Sequence, residues 1–301
     1  MHVRGAFNHL LRPGLRRDFR DEYQSYPEEY PGFLKTGTQD RAEVERVAVS
    51  ALGRMARKSE TGNITYTDGR ESPKVTFVDE EWALGFAISR NLVEDDLYGR
   101  ANQNAKWLGR AARLTQEYQA AGLIDDAFTG SIYTGMFGEA MISASHTLLN
   151  GSGTWSNLIS GNPQLGVTGL EAGLELAEAQ VDHEGNPMPM RVSRLLIDRT
   201  DEMMAIKLTT GEWEPFTSDR NVNAIKKKAT NLTYKLLHYK TANGKWLLQD
   251  PQLIDAHFLF RIRPQFGDTQ DEGGTLAAKF WGRQRINCYF FDPRGNVGSN
   301  C

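Results

Sequence analysis

Residues 91–121 constrain this chain more than any other stretch. Val93, Leu97, Ala101, Ala105, Leu108, Ala112 and Thr115 recur at steps of three and four, the period of one helix face. Asn91 with Glu94 has the form of a capping pair, and Asp95 and Asp96 place negative charge at the positive end of the helix dipole. Gly122 follows as a stop. Such a helix extends about 45 Å at 1.5 Å per residue, more than twice the mean length in globular proteins. Its stripe is narrow and rich in alanine, so one side packs closely while the rest stays polar. The chain needs a fold in which other elements are mounted on this spine.

The residues before the spine read as outworks. Residues 1–20 carry Arg4, Arg12, Arg16, Arg17 and Arg20 against Asp18, a local balance of +4; residues 21–30 carry Asp21, Glu22, Glu28 and Glu29, a balance of −4. Pro27 and Pro31 and the polar density disfavour a regular element, which leaves a solvated chain end or an extended arm ordered by a neighbouring subunit. Residues 40–58 read as a helix, with Val44, Val47, Ala48, Ala51, Leu52 and Met55 on one face and Asp40 with Glu43 as a capping box. Residues 59–80 read as a polar hairpin: a strand over 63–67, a turn at Asp68-Gly69, an edge proline at Pro73 and a returning strand over 74–78. Such a hairpin has little apolar surface to bury against its own domain.

After the spine, residues 123–167 are rich in Gly, Ser and Asn, with Met136, Phe137, Met141 and Leu148-Leu149 as apolar anchors. Thr168 with Glu171 marks a second capped helix with Leu170, Leu174, Ala177 and Val181 as its stripe. A turn at His183–Pro187, a short buried strand over 193–198, a helix over 202–207 and a weaker helix over 218–229 follow. Strands are expected over 232–239, 245–249 and 256–263, then a polar loop over 267–274 and strands over 276–281 and 285–291. In 256–263, Ala256, Phe258, Phe260 and Ile262 alternate with His257, Leu259, Arg261 and Arg263, the mark of a half-buried strand. The order is α+β, with one core interrupted by an insertion.

Chemistry is scarce. No Walker loop, dinucleotide fingerprint, nucleophile elbow or H-E-x-x-H motif occurs, so no catalytic, cofactor-binding or metal-ligating residue is assigned. His146 in Ser-Ala-Ser-His-Thr is the one candidate base beside a hydroxyl, and Lys226–Lys228 is a small basic patch. The formal net charge of −3 excludes a protein that coats nucleic acid with its whole surface. No run approaches the roughly 18 apolar residues of a membrane helix. Cys288 and Cys301 read as reduced thiols in a soluble cytoplasmic chain.

The segment Trp82-Ala-Leu-Gly-Phe-Ala-Ile-Ser-Arg-Asn-Leu-Val-Glu-Asp-Asp-Leu-Tyr-Gly99, running into Leu108-Gly-Arg-Ala-Ala112, resembles the tailed-phage major capsid proteins of the Mu-like major head subunit group. The resemblance continues through Phe137–Met141, Ser145-His146, Ser156-Asn157, Asp182–Ile197, Phe291–Gly295 and Ser299-Asn300, and covers about residues 25–301. It implies the Hong Kong 97-type phage capsid fold: an N-terminal arm over 1–35, an arm helix over 36–58 and an extended β-hairpin loop over 59–80. The peripheral domain would comprise 81–159 and 256–285, with the spine helix at 91–121, and the axial domain 160–255 and 286–301. The arm and the loop would supply the assembly contacts, Arg12, Arg16, Arg17, Arg57, Lys58, Asp68, Arg70 and Glu71. The implied function is the major head protein of a tailed bacteriophage. It would form hexamers and pentamers of an icosahedral shell around double-stranded DNA, assembled in the host cytoplasm, and touch the DNA non-specifically. Portal, scaffolding and decoration proteins are the implied partners, scaffolding being a separate protein because arm, helix and loop use up the residues before the spine. An encapsulin-like compartment shares the fold, and a soluble enzyme with an unrecognised site is the rival outside it.

Overall fold

The alternating stretch that begins at Ala256 becomes the longest strand of the molecule. The computed structural model describes residues 6–89, 98–213, 222–270 and 277–301, apart from Ala56, Thr65, Thr67, Ser152 and Thr230. In chain order the elements are α1 (Ala6–Ser25), β1 (Lys35–Thr38), β2 (Glu43–Arg46), β3 (Val75–Val78), β4 (Glu80–Ser89) and α2 (Tyr98–Asp125). A short ribbon follows, β5 (His146–Thr147) and β6 (Thr154–Trp155), then α3 (Val167–Glu178), β7 (Arg194–Ile197), α4 (Glu202–Thr210) and α5 (Ala224–Lys228). The chain ends in β8 (Thr233–Leu236), β9 (Lys245–Gln249), β10 (Ala256–Gln270), β11 (Ala277–Phe290) and β12 (Asn296–Asn300).

Two four-stranded sheets organise the body. The first runs β1-β10-β11-β4, with β1 parallel to β10 and the other pairs antiparallel. The second runs β12-β9-β7-β8, with β7 parallel to β8. Ala256, Phe258 and Phe260 on the inner face of β10 join Ile286 and Phe290 of β11, Ala120, Leu123 and Ile124 of α2, and Leu196 and Leu247 of the second sheet in one cluster. That shared cluster makes the two sheets one core. The far face of the second sheet packs Leu195, Ile197, Trp246 and Leu248 against Leu170, Leu174 and Ala177 of α3 and Ala205 and Leu208 of α4. The remaining cluster joins Leu15 of α1 and Ala101 and Ala105 of α2 to Ile88 and Phe280.

The spine is present as α2, 28 residues long, and it runs on through Gly122 to Asp125. The expected cap at Asn91–Asp96, with Val93 and Leu97, lies outside the described residues. Several expectations are corrected. Residues 6–25 are not extended: they form α1, a 20-residue helix with Pro13 inside it. Leu15 and Phe19, four residues apart, are both buried, and this pair outweighs the charges around it. Among the described residues of 40–58 there is no helix; 43–46 are strand β2, paired antiparallel with β3. Their apolar residues find no core, since Val47, Val49, Leu52 and Met55 are exposed, so strand pairing decides the conformation.

The hairpin is also built differently. Its outgoing limb is 43–50, because β3 pairs with β2 and not with 63–67, and Asp68-Gly69 lies on the returning limb rather than at the tip. Helix α3 begins at Val167 after Gly166 with no side-chain cap, so Thr168 sits inside the helix and forms no capping box. The two strands expected over 276–291 are one strand, β11, and β10 extends to Gln270 through the first part of the expected loop. Of the helix expected over 218–229, α5 occupies Ala224–Lys228, capped by Asn223 through its bond from the Lys226 amide; 218–221 lie outside the described residues. Among the described residues no helix is long and apolar enough to cross a membrane.

Candidate assembly surfaces

The N-terminal segment is fixed to the spine by a polar seam. Glu117 of α2 is 1% exposed and accepts hydrogen bonds from the backbone N–H groups of Glu29 and Tyr30, at 3.0 and 3.2 Å. Burial raises its carboxyl to about 7, with the Glu29 charge adding to it, while the two backbone donors and the Arg113 guanidinium oppose the rise. Arg113 lies over the Tyr23 ring at 4.0 Å and pairs with Glu28 at 2.7 Å. The Tyr23 hydroxyl donates to Gln116, and Gln116 donates to Gln284 of β11 at 2.7 Å. Glu29 in turn meets His238 at 2.6 Å, and the Tyr30 ring packs on Phe258 at 4.4 Å. Glu28 and Glu29 of the −4 stretch are therefore engaged with residues far along the chain. Sequence reasoning missed this seam because Arg113, Gln116 and Glu117 are polar. Gln116 and Glu117 follow Arg113 by three and four residues and precede buried Ala120 by four and three, so one helix face runs through them, which was the available signal.

The hairpin stands on a rigid root. Asp79, at the junction of β3 and β4, is fully buried and meets Arg261 at 3.3 Å and Arg285 at 2.5 Å, the latter an ion pair without hydrogen-bond alignment. Arg46 pairs with Asp255 at 2.9 Å, and His257 bonds the same carboxylate at 2.7 Å. Phe77 stacks on Tyr289 with centroids 4.1 Å apart. Beyond the strands, serine hydroxyls extend the ladder: Ser72 accepts from the Ala48 N–H at 2.9 Å and Ser50 from the Arg70 N–H at 3.0 Å. The tip beyond them buries almost nothing. Leu52, Met55, Ile64 and Tyr66 are 67%, 100%, 60% and 88% exposed. Four large apolar side chains thus stand on one loop, none of them used by the chain's own core.

The structure places the eight expected contact residues in two groups. Arg16 and Arg17 are exposed on α1; Arg12 is in the same helix, its side chain outside the described residues. Arg57, Lys58, Asp68, Arg70 and Glu71 are exposed along the hairpin. Arg70 donates to the Asn150 carbonyl, and nearby Arg54 donates to Asn186 at 2.9 Å, so the hairpin leans on the 150 and 182–187 turns of its own chain.

His146 takes no catalytic posture. It is fully buried, stacked on Trp155, with Nδ1 2.9 Å from Glu139 and Nε2 2.9 Å from Asn157. Asn157 is oriented by accepting from the Ser143 N–H and donating to the Met141 carbonyl, so its Oδ1 accepts from the ring. The imidazole faces a carboxylate and an amide, not a serine hydroxyl; its role is to tie 139–157 together. Among the described residues no group of three or more His, Cys, Asp or Glu is placed to hold a metal, and Cys288 and Cys301 are free.

No protein-family model matches the sequence, and no curated protein matches it. Solved structures do match. The capsid of cyanophage P-SCSP1u aligns with a TM-score of 0.54 at 12% identity, over 88% of this chain and 85% of that one. The procapsid of bacteriophage JBD30 aligns at 0.53 and 12% identity, over 99% of this chain and 76% of that one. A virus-like particle from Pyrococcus furiosus aligns at 0.52 and 10% identity, over 96% and 98%. The chain has the Hong Kong 97-type capsid fold.

Proposed function

We propose that this chain is the major head subunit of a tailed bacteriophage. It assembles into hexamers and pentamers of an icosahedral shell that encloses double-stranded DNA. The observation that carries the proposal is the loop tip, whose Leu52, Met55, Ile64 and Tyr66 have no use in an isolated subunit. Seated on an adjacent copy, they would supply the apolar centre of an interface, while Arg57, Lys58, Asp68 and Glu71 would form its charged rim. The peripheral part of the subunit is then 81–159 with 256–285, and the axial part 160–255 with 286–301. A single contact of this size is modest. Repeated around closed rings and between them, many such contacts act together, and the shell holds though each contact alone is weak. A net charge of −3 suits a wall that must enclose DNA without gluing it down. Portal, scaffolding and decoration proteins would meet the same shell.

The test is a variant with Leu52, Met55, Ile64 and Tyr66 all changed to serine. Its circular dichroism and melting should match the parent, since these side chains are exposed, while particles disappear from negative-stain micrographs. Intact particles from this variant would overturn the role of the loop. Particle contents separate the alternatives within the fold: DNA supports a phage head, whereas packaged enzyme without DNA supports an encapsulin-like compartment.

A further inference from the structure

We propose that the groove between α1 and β10 binds the phosphate backbone of double-stranded DNA, an assignment that rests on the shell reading above. The groove has a volume of about 750 Å³ and is lined by Arg16, Arg17 and Arg20 of α1, by Arg263 of β10, and by Tyr23 and Phe266. Among the described residues that line it there is no carboxylate. Its α1 wall runs from Pro13 to Gln24, about 16 Å at 1.5 Å per residue. That is long enough to face several phosphates of one strand, which follow each other every ~3.4 Å along the duplex axis.

The three lining arginines of α1 are open to solvent. The side chains of Arg17 and Arg20 are 69% and 68% exposed and approach Asp18 and Asp21 only at 3.9 and 4.0 Å. Pairs of that kind contribute little. Glu28 and Glu29 are engaged instead with Arg113 and His238. The facing wall is shaped as well. The β10–β11 register shifts between Ile262 and Gln265, and Pro264 within that shift has no N–H to give the ladder. Arg263 at the irregularity lies over the Phe260 ring at 4.9 Å, which orients its guanidinium. Arginine forks match phosphate oxygens in pairs, and a row of them recognises backbone rather than base sequence.

The test uses the full-length, unassembled chain and a 20-base-pair duplex of arbitrary sequence, with binding followed by fluorescence anisotropy at several salt concentrations. Changing Arg16, Arg17, Arg20 and Arg263 together to glutamine should weaken binding at least tenfold at low salt. It should also flatten the slope of log affinity against log salt by about 2–4, since each phosphate that is no longer neutralised removes about 0.9. The same four positions changed to lysine should restore most of the affinity. Arg20→Gln and Arg263→Gln alone should each weaken it two- to fivefold, and Lys226, Lys227 and Lys228 changed to glutamine should leave it within twofold. Unchanged affinity in the fourfold glutamine variant overturns the proposal. So does polyglutamate that displaces the duplex at equal charge concentration, which would assign the groove to an acidic protein segment. Particle formation by the parent chain is scored separately: particles alongside unaltered DNA binding in the variant remove the groove and leave the shell reading standing.

Discussion

Glu117 and Asp79 are the two buried carboxylates on which the outlying segments hinge, and they respond differently to change. The Glu117 carboxyl is raised from 4.5 to about 7, so the folded state holds its proton more tightly than the unfolded chain. The stability it contributes is complete below the unfolded value and is lost as pH rises through the folded one. Denaturant titrations between pH 5 and 8 should show the parent losing up to about 3 kcal/mol relative to Glu117→Gln, whose own profile is flatter. A parent and variant with parallel profiles would contradict this. Asp79 is the anchor of the hairpin root. Asp79→Asn leaves Arg261 and Arg285 without their carboxylate and should cost about 3 kcal/mol, read from the denaturation midpoint. Arg285→Gln should cost less, because that side chain is 26% exposed and water can replace part of the pair.

At the scale of elements, the crossing of α1 over α2 depends on one glycine. A Cβ at Gly109 would lie 2.3 Å from the Phe19 carbonyl oxygen, a backbone atom that cannot swing aside. Gly109→Ala should therefore push α1 off the spine, at a cost of about 1–3 kcal/mol, with faster proteolysis in 6–25 as the local readout. A variant as stable and as protected as the parent would show that α1 is held elsewhere. This crossing also explains what the sequence displayed and what it hid. The spine and β10 were legible because each buries a regular apolar stripe, at periods of 3.6 and 2. Helix α1 was not, because its burial rests on Leu15 and Phe19 amid arginines, and its last turns meet the polar Arg113 and Gln116 of α2. The helix expected over 40–58 misled for the opposite reason. Val44, Val47, Leu52 and Met55 keep helical spacing, yet the last three are exposed, and pairing with 75–78 decides the backbone. The apolar residues of the tip were visible in the sequence; their exposure, which makes them a candidate contact surface, was visible only once the core was filled without them.

For the whole molecule, the two sheets and the spine share one core, while the hairpin tip and the arginines of α1 stand outside it. In the proposed shell, that outlying surface would meet neighbouring copies. Assembly should be cooperative in concentration, because ring closure multiplies contacts that are weak alone. Light scattering should show a sharp threshold, with particles above it and subunits below; a gradual rise through dimers and trimers would contradict closure. The most direct measurement of the central claim is cryo-electron microscopy of the purified full-length protein. The account predicts closed particles whose averages show five- and sixfold clusters, with the hairpin of each copy lying across its neighbour. A protein that stays monomeric or dimeric at every concentration, or particles in which the hairpin tip touches no other copy, would contradict it.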